Sequence, residues 1–577
     1  MSTKAAYNRK FLFSMKLIVF VLMFVPFGVF SQIVVEENLT KKTTMYYDFE
    51  RTHPESRGSF YKDFLGETTN KHGKWVYFDK AGLTIEERNY YKGQLHGAVK
   101  AFYSNGKPRQ EGYFKLDEQD SIYREWYENG NLSIEGSYFR NNPSGTWTYY
   151  YPNGKQKLIE EVIDTVNYVR AFWLPDSLHT QTVTDGNGEL ATYYTTGAVK
   201  EWYNYKNGLK NGPFEEYSIY GYTMISGSFE EGQKDSLWSF WYYTGDLEKT
   251  STYEKGVLNG PYKYYFDNDT LNVEGQYEDG KKTGIWTWYT NKGTKDMQGS
   301  FKNDQQNGKW TYWYPTGEVS YYAEYKDDQK SGLWTYLYKD GTQFKKGTFQ
   351  DDQKNGRWET WYEDGTLLMT GDYKNGKEDG LWKNYWETGK LKNEATFTEG
   401  ILEGDWKSYY PNGKPKLTGE YKDGFKTGEW VDYFENGRPK DVGSYKVIKK
   451  KPKINYGPTE DHVIYESVKD GHWVSYSDKD FKKIEEGDYK EGEKHGTWTD
   501  YYPGGRVPAI TTEYKNGKLD GTMREYDRRG NLISEIDYKD GLKHGKMKIY
   551  DKKGKVAVEK EFEFGQQVVK GPAFNPG

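Results

Sequence analysis

The chain has no cysteine. That removes disulfides, thiolate metal sites and a lipid-bearing cysteine from consideration. Only 35% of the residues are hydrophobic, too few for a large buried core. Yet 56 tyrosines and 20 tryptophans are too many for a disordered chain. A sheet one layer thick fits that balance. The net charge is −5 with both signs interspersed, so there is no electrostatic footprint for nucleic acid. The one basic run, Lys449-Lys450-Lys451 with Lys453, reads as a solvated loop. Helical periodicity is missing after residue 32.

Catalytic signatures are missing too. No phosphate loop, dinucleotide fingerprint, Gly-x-Ser-x-Gly or His-Glu-x-x-His occurs. Acidic pairs such as Asp327-Asp328 and Asp351-Asp352 fall at turns and lack the spacing of a calcium loop. His72, His96, His495 and His544 share one slot that elsewhere holds Asn, Thr, Ser or Asp. They read as turn residues, not as ligands or bases. The sequence therefore points to a non-enzymatic protein with no cofactor and no metal.

What is present is repetition. Gly308-Lys-Trp-Thr-Tyr-Trp-Tyr returns as Gly332-Leu-Trp-Thr-Tyr-Leu-Tyr and Gly356-Arg-Trp-Glu-Thr-Trp-Tyr. With the opening glycine as position 0, anchors fall at 73, 97, 121 and 145, then at 188 and every 24 residues to 428. The last four are 471, 496, 521 and 545, giving nineteen units. Such self-similarity means an array of supersecondary units. Only Ser121 and Ser236 replace the opening glycine. Position 2 is apolar or aromatic throughout, most often Trp, and position 17 is almost always Tyr or Phe.

Positions 8 and 9 often read Asn-Gly or Asp-Gly, as at Asn105-Gly106, Asp364-Gly365 and Asn412-Gly413. Between aromatic and β-branched runs, that pair signals a hairpin with a two-residue turn. A second turn follows position 17, as at Lys374-Asn375-Gly376-Lys377. A turn at 8 and 9 makes opposed positions sum to 17. Each Trp then faces a small residue at position 15, such as Gly347, Gly371 or Ala395, and each position-17 ring faces the opening glycine. One face collects positions 2, 6, 11 and 17. The other is polar, with an aromatic only at position 5. The expected fold is all-β, an elongated single-layer antiparallel sheet of about nineteen consecutive hairpins, twisted into a rod.

Met15-Lys16 precedes an apolar stretch, Leu17 to Phe30, and then Ser31-Gln32. That is the pattern of a signal peptide, with an uncleaved anchor as the rival reading and Met15 as an alternative start. The organisation expected is 1–31 signal peptide, 32–72 cap and partial repeat, and 73–154 first repeat block. An insertion at 155–187, a second block at 188–440 and an insertion at 441–470 follow. The third block is 471–565 and the tail 566–577.

The stretch Tyr373-Lys-Asn-Gly-Lys-Glu-Asp-Gly-Leu-Trp, with Tyr385 and Gly389 after it, resembles a MORN (membrane occupation and recognition nexus) repeat of the bacterial variant type. The resemblance spans about residues 60–565. It implies a twisted sheet of hairpins serving as a scaffold or binding rod, and no catalytic residues. Relatives often carry an antitoxin-like label. The function expected is an exported scaffold mediating protein–protein interaction in the periplasm or at the cell surface. The alternatives are a carbohydrate- or lipid-binding module using the aromatic face, or an immunity-type protein. The candidate binding face is Trp310, Tyr314, Trp334, Tyr338, Trp358, Tyr362, Trp382 and Trp406. Its competing reading is structural: adjacent units bury each other's rings.

Overall fold

The computed structural model describes residues 39–450 and 463–569. The signal segment, the Ser31-Gln32 junction, Lys451, Lys453 and the end of the tail lie outside the described residues. The fold is all-β. Among the described residues 44 strands belong to one antiparallel sheet, and there is no helix. Two compact units divide the chain. The first holds the described residues up to Gly221 together with Phe229–Gln233. The second holds Tyr222–Ser228 and the described residues from Lys234 onward.

One repeat of the second unit shows how sequence becomes structure. Strand Gln353–Trp361 pairs with Leu367–Lys374. Gly356 faces Tyr373, Trp358 faces Gly371 and Thr360 faces Met369, the register that the sum of 17 predicts. Next to the turn the register shifts, so that Trp361 faces Leu367 and Leu368 is left over as a bulge. The turn differs from the expected one accordingly. Gly365 N–H donates to the Tyr362 carbonyl at 3.0 Å, and Tyr362 N–H donates to Thr366 O at 2.8 Å. Glu363 and Asp364 are its central residues, and only Gly365 takes positive φ, at 84°. This is a common turn closed by a left-handed glycine, not a two-residue turn with both residues left-handed. The bulge absorbs the difference, so the body of the hairpin keeps its pairing.

The two-residue turn lies at the other end. Asn375 and Gly376 have φ of 50° and 80°. Where aspartates fill those places, as at Asp351 and Asp352, φ is 49° and 64°. Asp tolerates that region because its short side chain bonds locally. Here it does more, since Asp352 Oδ1 accepts the N–H of Lys330, on the strand Gln329–Leu337 that follows the preceding such turn, at 2.8 Å.

The opening glycine answers to a third constraint. Across to the previous strand, Lys346 faces Glu359 and Thr348 faces Asn355, so Gly356 sits in a bulge. Its φ is 69°, and Ser121 and Ser236 adopt 67° and 59° at the same place. A residue with Cβ is strained there, which explains the near-invariance of the slot.

The two expected insertions are built as sheet. Residues 155–187 contain strands Gln156–Ile163, Val166–Trp173 and Gln181–Thr184. They contribute Val169, Phe172 and Val183 to a small core shared with Leu190. Backbone approaches backbone closely: Val169 N–H donates to Gly208 O at 2.8 Å, and Gly208 N–H to Gly186 O at 2.8 Å. Around 441–470 two strands simply lengthen, Pro439–Lys450 pairing with Ile464–Tyr476 out to Lys450 opposite Ile464. Lys449 and Lys450 lie on that strand.

Candidate functional site

The sequence singles out the aromatic face, so its geometry decides what a partner can reach. Position 2 points inward. Trp310, Trp334, Trp358 and Trp382 are 1%, 3%, 2% and 6% exposed. Each ring lies over position 15 of the preceding hairpin. A Cβ added to Gly299, Gly347 or Gly371 would overlap the indole of Trp310, Trp358 or Trp382. At Trp358 and Trp382 the bulge that demands the opening glycine also frees a carbonyl, which the indole takes. Trp358 Nε1–H donates to Thr348 O at 3.1 Å and Trp382 Nε1–H to Asp372 O at 3.1 Å. A buried donor and a buried acceptor are satisfied by one contact.

Position 17 then wedges between successive tryptophans. Phe349 meets Trp334 at 5.1 Å and Trp358 at 5.2 Å; Tyr373 meets Trp358 at 5.9 Å and Trp382 at 4.9 Å. These are edge-to-face contacts, the arrangement that aromatic quadrupoles favour. Past the lengthened strands the row continues unbroken, Tyr445 meeting Trp473 at 5.4 Å.

Sequence reasoning missed the lid on this row. Position −2 is Lys in ten units, and its ammonium lies on the rings. Lys354 Nζ is 4.8 Å from the Trp358 ring centre and 4.5 Å from that of Tyr373. Lys426 lies 4.1 Å over Trp430, and burial pulls its pKa down. The aliphatic stem covers the indole while the charge meets its π face. The signal was the 24-residue recurrence of Lys, which no hydrophobic pattern reports.

Position 6 ties unit to unit. Tyr314 Oη–H donates to Leu337 O at 2.8 Å, Tyr338 to Trp361 O at 2.8 Å and Tyr362 to Tyr385 O at 3.0 Å. The eight candidate residues therefore divide. Trp310, Trp334, Trp358 and Trp382 are interior, and Trp406 is half-buried. Tyr314, Tyr338 and Tyr362 are half-buried, with hydroxyls committed to the next unit. Beside the tryptophans, Tyr312 and Tyr321 stack at 4.1 Å, and burial pushes the Tyr321 hydroxyl up to about 12.

The four histidines do sit before their glycines. His72 is buried, and its Nδ1 accepts the Lys92 N–H at 3.0 Å. Among the described residues, no group of three or more His, Asp or Glu side chains is arranged to hold a metal ion.

The opposite face shows a pattern with a longer period. Position 1 is aliphatic in alternate units: Leu237, Ile285, Leu333 and Leu381, exposed by 55%, 63%, 46% and 46%. Each faces Thr or Ser at position 16: Thr252, Ser300, Thr348 and Thr396. Pro261 facing Gln276 stands between the first two, and charged pairs stand between the last three. Lys309 faces Glu324, and Arg357 faces Asp372, with Arg357 Nε–H donating at 3.0 Å.

Buried ring rows and committed hydroxyls define an antiparallel hairpin-repeat array. The MORN repeat variant family matches at residues 95–116, 119–140, 143–160, 258–279, 306–327, 354–375, 378–399, 402–423, 519–540 and 543–563. This chain is a MORN-repeat protein. Most matches run from the position −2 slot to the second turn, so the family unit coincides with the hairpin described above. None of the curated proteins matches it. Among solved structures, the crystal structure of TcdB2-TccC3-Cdc42 is similar at 10% identity, over 91% of this chain and 31% of that one, with a TM-score of 0.12. The Photorhabdus luminescens Tc holotoxin pore is similar at 12% identity, over 90% and 30%, with the same TM-score of 0.12. The chain thus spans about a third of the length of those chains.

Proposed function

We propose that this protein is an exported, non-enzymatic scaffold that engages a protein partner in the cell envelope. One observation carries the reading. One face of the array consumes its own aromatic rings, while the other presents Leu237, Ile285, Leu333 and Leu381 at a two-hairpin interval. Four strand spacings make that interval about 20 Å. Single exposed aliphatic residues need no explanation, but a regular register of them, with charged pairs between Ile285, Leu333 and Leu381, suits a partner surface. Export is supported by the apolar run Leu17 to Phe30 after Lys16. The non-enzymatic reading is supported by the scaffold character of MORN repeats.

Crosslinking in cells followed by mass spectrometry tests this. Recovery of one envelope protein, lost in a Leu333→Glu/Leu381→Glu variant that still folds, supports it. Stoichiometric binding to isolated glycan or lipid, with no protein recovered, overturns it. The half-buried stack of Tyr312, Tyr321 and Tyr336 favours that second reading, an aromatic platform for a sugar or lipid.

A further inference from the structure

The hairpin tips of the last three units are cationic in succession, whereas earlier tips of the second unit are acidic, balanced, neutral or hold a single lysine. Tips 503–507, 527–531 and 551–555 hold Arg506, Arg528, Arg529, Lys552, Lys553 and Lys555, all exposed. Asp527 and Asp551 are their only acids. Both are engaged by their own turns: Asp527 Oδ1 accepts Arg529 N–H at 2.8 Å and Asn531 N–H at 2.9 Å, and Asp551 Oδ1 accepts Lys553 N–H at 2.8 Å. By contrast, tips 314–318 and 362–366 carry Glu318, Glu363 and Asp364 with no cation.

The first of these tips is also shaped differently. Its unit has one residue more than the 24-residue repeat, and Gly504 and Gly505 both take positive φ, 103° and 61°. The widened turn closes through Tyr502 N–H to Val507 O at 3.0 Å. An open hollow results, lined by Tyr502, Pro503, Gly504, Arg506, Val507 and Arg528. Its lining is largely apolar and aromatic, with one arginine from each of two successive tips. Among the described residues neither Arg506 nor Arg528 is in an ion pair or a side-chain hydrogen bond.

We infer that this edge binds an acidic polysaccharide. The C–H face of a sugar ring suits the Tyr502, Pro503 and Val507 lining. The planar carboxylate of a uronic acid suits a guanidinium fork. Successive tips stand about 10 Å apart, two strand spacings, so a chain of charged sugars leaving the hollow meets Lys552, Lys553 and Lys555 next. This edge is distinct from the face proposed for the protein partner, and the inference does not rest on that reading.

The test uses the full mature chain and end-labelled oligogalacturonates of two lengths, with neutral dextran oligomers as control. Fluorescence anisotropy should show binding of the oligogalacturonates that weakens with salt, and none of dextran. Arg506→Gln/Arg528→Gln should weaken binding of both lengths at least tenfold. Lys552→Gln/Lys553→Gln/Lys555→Gln should weaken only the long oligomer. All these positions are exposed, and an unchanged tryptophan emission spectrum verifies folding. Equal binding of dextran, no binding of oligogalacturonate, or indifference to the double arginine variant overturns the inference. So does binding confined to inorganic phosphate or to phosphatidylglycerol vesicles.

Discussion

The indole of Trp358 covers the backbone of Gly347, eleven residues earlier, and its Nε1–H donates to the carbonyl of Thr348 at 3.1 Å. The contact joins three features of the repeat. A glycine at position 15 clears space, a glycine at position 0 bulges the strand, and a tryptophan at position 2 takes both the space and the carbonyl that the bulge frees. Gly347→Val should therefore destabilise by about 1–3 kcal/mol, the usual cost of overpacking. Gly347→Ala should cost less, because Ala323 and Ala395 already occupy the equivalent slot. Urea unfolding followed by tryptophan fluorescence measures both. Equal stabilities for Val and Gly would show that the ring has room to move.

Trp358→Ala should cost about 3–5 kcal/mol, as for other buried aromatic truncations. Trp358→Phe should recover part of that loss but leave the Thr348 carbonyl unmatched. A loss under 1 kcal/mol for Trp358→Ala would mean that the ring contributes little burial.

Tyr362→Phe removes the donor to the Tyr385 carbonyl while keeping the ring. A loss of about 0.5–1.5 kcal/mol is expected, the net value of one hydrogen bond. Amide exchange should accelerate locally, at Tyr362 and in the following hairpin. Uniform acceleration along the whole unit would argue that the hydroxyl is not a local tie.

Two pH windows follow from the turns. The hydroxyl and then the N–H of Thr342 hold the Asp340 carboxyl below its ordinary value, and the N–H and then the hydroxyl of Thr366 do the same for Asp364. A lowered carboxylate pKa stabilises fully above the unfolded value of about 3.9 and ceases to as pH falls through the folded value. His72 is lowered by burial first and by Lys92 second, so the folded state favours neutral imidazole. Its contribution is lost as pH falls below the ordinary value of about 6.5. The melting temperature should decline in two steps on acidification. His72→Gln should remove the upper step and Asp340→Asn should shrink the lower one. A variant with an unaltered pH profile would refute the corresponding assignment.

Much of this was legible because the sequence repeats. Trp358 opposite Gly371 and Gly356 opposite Tyr373 follow from position sums alone. What escaped depended on where the ladder stops. Asp364-Gly365 fits two kinds of turn, and only the bulge at Leu368 distinguishes them. The opening glycine does face Tyr373, but its positive φ comes from a bulge toward the previous hairpin, which pairing sums within one hairpin do not report. Lys354 went unnoticed because a charged residue on an aromatic face leaves no hydrophobic signal, even though its stem is part of the packing. Residues 155–187 read as an insertion because the Gly and Trp markers lapse there, yet strands Gln156–Ile163, Val166–Trp173 and Gln181–Thr184 keep them in the sheet.

The face opposite the tryptophans is the centre of the functional account, and a photo-crosslinking amino acid tests it most directly. Placed in cells at Leu333, and separately at Leu381, it should yield the same single protein adduct. Placed at Lys354, over the ring row, it should yield none. Adducts of equal strength from Lys354, or none from Leu333 and Leu381, would contradict the assignment of that face as the partner surface.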